Sequence, residues 1–89
     1  MKGAKAMRLV SYDRHIDCLY DAVIIWTRHT YNSYKIMASP VNGNPDEEYT
    51  MGYYSSEENM ESELTRLHKS YDMMSISVFQ FKKDKEVEA

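Results

Sequence analysis

A chain of 89 residues has room for one domain, and at that size folding buries only about 60 to 65% of the surface the unfolded form exposes, leaving modest stability unless copies associate. Apolar residues at 43% and charged residues at 28% exclude wholesale disorder; no apolar run nears the roughly 20 residues of a membrane span, and the single cysteine, Cys18, excludes an internal disulfide. The net charge of −3 is uneven: residues 1–38 carry six basic and three acidic side chains, residues 39–72 two and eight, and residues 73–89 three of each, so the acidic middle repels phosphate backbones and attracts basic surfaces.

Residues 6–12 (AMRLVSY) read as a strand with Met7 and Leu9 on one face and Val10 and Tyr12 on the other. Lys2, Lys5 and Arg8 resemble the basic start of an export signal, but Tyr12, Asp13, Arg14 and His15 arrive before an apolar segment develops, so the expected location is the reducing cytoplasm. Asp13 stands where a helix N-cap belongs. Over residues 14–31, Ile16, Leu19, Tyr20, Val23, Ile24, Thr27 and Tyr31 follow the spacing of an amphipathic helix that Asn32 would end. A competing reading takes 22–31 (AVIIWTRHTY) as a strand, because Val23, Ile24, Ile25 and Thr27 are β-branched and Trp26 is aromatic. The periodicity over about five turns favours the helix.

Residues 34–39 predict a strand stopped by Pro40, NGNPDEE a turn-rich loop, and residues 48–54 a further strand. Alternation in 48–54 puts Tyr49, Met51 and Tyr53 on the core side. Gly52 and Tyr54 then fall on the open side, where Phe79 or Phe81 would cover the glycine. Ser55-Ser56-Glu57-Glu58 has the capping-box pattern. Met60, Leu64, Leu67 and Tyr71 form the apolar stripe of the helix that follows, with glutamates in its first turns and Arg66, His68 and Lys69 near its end, as the helix dipole favours. Residues 73–81 (MMSISVFQF) read as a last strand, with Phe79 and Phe81 opposite Met74, Ile76 and Val78. Residues 1–5 and 83–89 are expected to fray.

These elements give a small single-domain α+β chain over residues 1–89, a two-layer sandwich of order βαββαβ. That is the ferredoxin-like arrangement, an antiparallel sheet with two helices on one face. If 22–31 form a strand, the order becomes a β-meander followed by a helix and a strand, and the class is unchanged.

Chemistry-bearing residues are sparse. His15 and Cys18 have the spacing of half a metal site, but neither His29 nor His68 offers a second close pair, and Cys18 has no orienting group for nucleophilic work. Asp13, Asp17 and Asp21 would form a carboxylate row on a helix, whereas Mg²⁺ sites draw ligands from several elements. Gly3, Gly43 and Gly52 lie too far apart to cradle a phosphate. No catalytic residue and no metal ligand is assigned, and no cofactor is implied.

Two short resemblances carry alternatives. A strand ending in Tyr12-Asp13 in a small ferredoxin-like chain is similar to the Cas2 family of CRISPR-associated proteins, and over those two residues the resemblance implies a metal-dependent nuclease using Asp13. Tyr49, Gly52, Tyr53 and Tyr54 resemble the aromatic third strand of the RNA-recognition motif, although Glu48 stands where that motif opens with a basic residue. The acidic surroundings argue against direct nucleic-acid binding.

Eight tyrosines and seven methionines beside two phenylalanines and one tryptophan suit adaptable contact surfaces. In a two-layer fold the uncovered sheet face must be wet, self-associated or bound to a partner. The expectation is therefore a small acidic, non-enzymatic protein-binding inhibitor or modulator, of the type phages direct against host enzymes or defence systems, as anti-CRISPR and anti-restriction proteins do. Its expected contacts are Tyr54, Glu57, Glu58, Glu61, Phe79 and Phe81, and its expected partner is a larger, basic host protein, with a homodimer as the other way to cover the face. The alternative is a dimeric ferredoxin-like small-molecule-binding domain or the nuclease.

Overall fold

A computed structural model describes residues 7–44, 46–73 and 78–87. Met7 and Leu9 alternate with exposed Arg8 in the short strand β1 (Arg8–Val10), and both apolar side chains are buried. β1 pairs antiparallel with β2 (Asp17–Leu19) and parallel with β6 (Val78–Gln80), making a mixed three-stranded sheet. A second three-stranded sheet is the antiparallel meander of β3 (Val23–Thr30), β4 (Ser33–Pro40) and β5 (Tyr49–Tyr54). The sheets meet where the Tyr12 N–H donates to the Met51 carbonyl at 2.8 Å. One α-helix, α1 (Glu57–Met73), packs against β4 and β5, so the described chain is α+β with two sheets and one helix.

The stretch 14–31 does not form the expected helix. It carries β2, a 3₁₀ turn (Tyr20–Ala22) and β3; the order seen is β1 and β2, then the meander β3–β5, the helix and β6, with β1, β2 and β6 in a sheet of their own. The β-branched and aromatic run 23–27 pairs residue for residue with β4 from Val23↔Pro40 to Thr30↔Ser33, turning through Tyr31-Asn32. The helical spacing of Ile16, Tyr20 and Val23 is real but is shared among three elements, each packing one of these residues on the core. Loop, turn and strand together mimic a period that belongs to none of them.

β5 departs from simple alternation. Met37 pairs with Thr50 and Ile36 with Gly52, so Met51 is inserted as a β-bulge. One extra residue moves every later side chain to the opposite face. Tyr54 therefore turns inward and is wholly buried, Tyr53 turns outward at 45% exposure, and the expected assignment of Tyr53 to the core and Tyr54 to the open side is reversed. Gly52 is covered by Tyr54 rather than by either phenylalanine: a Cβ on Gly52 would lie 2.5 Å from the Tyr54 ring. Burial pushes the Tyr54 phenol pKa far up, and its hydroxyl donates to the Lys82 carbonyl at 2.9 Å.

α1 buries the expected stripe, with Met60 and Leu67 in the core and Leu64 and Tyr71 against it. It also buries Glu63. Its carboxylate accepts both Arg66 donors at 2.8 and 2.7 Å and the Lys82 N–H at 2.6 Å, and Arg66 in turn reaches the Gln80 carbonyl and lies 4.1 Å over the Phe79 ring. The pair thus bonds to itself and to the C-terminal segment at Gln80 and Lys82, which is what makes the buried Glu63 charge tolerable. Ser56 caps α1 through the Asn59 N–H. The Ser55 N–H and hydroxyl go to Asp84 instead of to a capping-box glutamate, and Asn59 joins them at 3.0 Å. Residues 83–87 are thus docked rather than frayed, with a 3₁₀ turn at Asp84–Glu86 and Val87 against the core. α1 runs to Met73, four residues past Lys69, so its last turn holds none of the expected cations. Met74 and Ile76 of the expected last strand lie outside the described residues.

Candidate functional site

Pairing across the meander sorts its side chains onto two faces. Val23 and Ile25 of β3, Ile36 and Ala38 of β4, and Gly52 and Tyr54 of β5 share the face under α1. The opposite face carries Ile24, Trp26 and Arg28 from β3, Lys35, Met37 and Ser39 from β4, and Thr50 and Tyr53 from β5. No described element lies over it. Ile24 and Tyr53 are 57% and 45% exposed.

The open face is organised by its own long side chains. Trp26 and Met37 face each other across β3 and β4, and the Trp26 indole N–H donates to Ser39 Oγ at 2.8 Å. Arg28 lies 4.8 Å over the Trp26 ring while its guanidinium forks onto Glu48 at 2.6 and 3.0 Å. That pairing, strongest through the hydrogen bonds, holds the Glu48 carboxyl below its ordinary pKa and raises that of Arg28. Lys35 lies 5.6 Å over Tyr53, and Thr50 donates to Met37 sulfur at 3.6 Å, leaving Met37 buried on a face with no covering layer. Cations lying on rings keep aromatic surface from water; Lys35 does so as a long flexible side chain, whereas Arg28 is held in place by Glu48. Trp, Tyr, Arg and Met gathered in this way are the residue types that dominate protein interfaces.

Of the expected contact residues, Tyr54, Phe79 and Phe81 are core residues, at 0%, 1% and 1% exposure, and offer no surface. The bulge turned the first inward, and the two phenylalanines pack edge to face at 5.0 Å inside the first sheet's core. Glu57, Glu58 and Glu61 are exposed on the first turns of α1, and no ion pair engages them among the described residues. Because α1 lies on the covered side, this acidic patch and the open face look in different directions. Ile24, Trp26 and Arg28 were hidden from sequence reading by the helical assignment of 14–31, which also left Met37 of the expected strand 34–39 without its neighbour across the sheet; the β-branched run around Trp26 was the signal that could have found them.

The residues weighed for chemistry are scattered. Asp13 accepts from the Ser11 hydroxyl at 2.6 Å and the His15 N–H at 3.1 Å, bonds that lower its pKa and close the β1–β2 turn, in which Arg14 has φ 66°. Asp17 pairs with Arg8 across the strands, and Asp21 sits in the 3₁₀ turn, so the carboxylate row does not form. His15 is exposed, and Cys18 is half-buried in β2, where burial pushes its thiol pKa up, away from nucleophilic character. Among the described residues no group of three or more His, Cys, Asp and Glu is placed to hold a metal. A cleft of about 180 Å³ between the β1–β2 turn and the end of β6 is lined by Tyr12, Arg14, Lys82, Lys83 and Glu86, among others. No helix among the described residues is long and apolar enough to cross a membrane.

No family model, curated protein or solved structure matches the chain.

Proposed function

We propose that this chain is a small acidic protein-binding modulator that acts by contact rather than by catalysis, engaging a larger, basic protein through the open face of the meander. The type of activity is that of phage inhibitors of host enzymes or defence systems. The single observation that carries the reading is the open face itself, where Ile24, Trp26, Met37 and Tyr53 share one side of the meander with no described element over them. Lys35 rests on the Tyr53 ring and Arg28, held by Glu48, on the Trp26 ring. Arg28 is neutralised by Glu48, so the face presents little net positive charge to a basic partner, while Glu57, Glu58 and Glu61 add a field that speeds encounter more than it tightens the complex.

The test is capture from a host lysate followed by reconstitution with the purified partner. A saturable one-to-one complex is expected, weakened at least about tenfold by Ile24→Ser with Tyr53→Ser, a loss of about 1.4 kcal/mol. Reversing Glu57, Glu58 and Glu61 to lysine should slow association at low salt and leave the fold intact. A complex indifferent to the Ile24 and Tyr53 changes removes the open face from the reading.

A further inference from the structure

We infer that the outer edge of β3 pairs with the same edge of a second copy of this chain, in an antiparallel register centred on Trp26, joining two meanders into one six-stranded sheet. β3 is the terminal strand of its sheet, and no described strand pairs with its outer side. Which backbone groups face outward follows from one hydrogen bond: the Val41 N–H donates to the Ala22 carbonyl at 3.0 Å. That bond makes Ala22 and Val41 a hydrogen-bonded pair in the register Val23↔Pro40, and such pairs alternate along an antiparallel ladder. Ile24, Trp26, Arg28 and Thr30 then bond to β4. Val23, Ile25, Thr27 and His29 direct their N–H and C=O groups away from it, and Pro40, which has no N–H to give, falls in a wide pair as it must.

The edge lacks the devices that ordinarily block such pairing. Residues 23–30 contain no proline and no lysine, and the bulge of this sheet lies on β5, not on β3. The only charge in the strand, Arg28, is neutralised within its own chain by Glu48. α1 covers β4 and β5, leaving Thr27 and His29 exposed on the side it occupies. Among two-fold registers, the one centred on Trp26 alone pairs all four outward residues, as Val23 with His29 of the partner subunit and Ile25 with the partner's Thr27, each pair exchanging two hydrogen bonds. Trp26 then faces the partner's Trp26, and no like charges are opposed. The two open faces become continuous, and a chain too small to bury much of its own surface gains a shared one.

This pairing stands apart from the partner reading and is tested on the purified chain alone. Sedimentation equilibrium should give twice the 10.5 kDa chain mass at high concentration, with dissociation on dilution and a red shift of emission from the lone tryptophan. Thr27→Lys, at an exposed position, should weaken the dimer at least about tenfold without changing the far-UV spectrum, and N-methylation of the Thr27 backbone nitrogen should do the same while leaving every side chain in place. Trp26→Cys should cross-link under mild oxidation, because facing Cα atoms in a wide pair lie about 4.5 Å apart, within disulfide reach, whereas His29→Cys and the unchanged chain should not. A monomer at all concentrations, including one that takes up a foreign strand at this edge, overturns the inference, as does a dimer that survives both changes at Thr27.

Discussion

The two faces of the meander contain the same kinds of side chain and differ in what covers them. Under α1, Ile36, Ala38 and Tyr54 are sealed by another element, with the Tyr54 hydroxyl satisfied by the Lys82 carbonyl. On the open side, Arg28 and Lys35 of the same sheet lie over the rings of Trp26 and Tyr53, and no other described element does. Cover from a separate element can be removed only by unfolding, because the helix and sheet lose their burial together. Cover from a flexible cation can be exchanged for a partner's surface while the fold persists. Stability is thereby assigned to one side of the sheet, and the proposed recognition to the other.

Substitutions on the covered side should have the largest effect. Tyr54→Ala removes a filled ring volume and a buried hydrogen bond and should cost about 3 to 5 kcal/mol in urea unfolding; Tyr54→Phe, keeping the ring, should cost about 1 kcal/mol. A result for Tyr54→Ala near zero would mean the bulge does not turn this residue inward. Gly52→Ala sets a Cβ against the Tyr54 ring and should cost about 1 to 3 kcal/mol by the same measurement, since the ring is held by its neighbours and cannot simply swing away.

Asp84 gives a smaller, pH-dependent effect. The Asn59 amide first, and then the Ser55 hydroxyl and N–H, hold its carboxyl below the ordinary range. A depressed folded pKa contributes stability that is present above the unfolded value near 4 and lost as pH falls through the folded value. Asp84→Asn should therefore cost about 1 kcal/mol at pH 7 and progressively less as urea unfolding is repeated at falling pH and the carboxyl is protonated in the folded chain. Least affected should be the open side: Ile24→Ser and Tyr53→Ser should each change stability by less than about 0.5 kcal/mol, although the proposed function expects the same pair to weaken partner binding. A destabilisation of 2 kcal/mol or more at either residue would mean that the open side also holds the fold together.

Much of the fold was legible wherever a signal was local. The serines before the helix and the Met60, Leu64, Leu67 and Tyr71 stripe act over a turn or two, so α1 was evident before its partners were known, although the cap is Ser56 with Asn59 and not a serine–glutamate box. The β4–β5 pair was equally plain from Pro40 and the Asn-Gly and Asn-Pro dipeptides between the strands. The candidate site was much less legible. Glu57, Glu58 and Glu61 were found as exposed acids, but Trp26, Arg28 and Met37 form a surface only because eight residues of β3 pair with eight of β4.

By itself, then, the sequence determined the α+β class, the helix from its stripe and polar start, and the shared face of Met7 and Leu9 by alternation. Only the tertiary structure decided that residues 14–31 become two strands and a turn, because β4 offers β-branched residues a partner and an isolated helix offers none. It also decided the phase of β5, since a single inserted residue, Met51, exchanges inside and outside for Tyr53 and Tyr54, and the Tyr12 contact that sits at that bulge comes from 39 positions away. The docked tail has the same cause: Asp84 completes the start of α1 from 29 residues downstream, a distance over which no local pattern in the chain carries information.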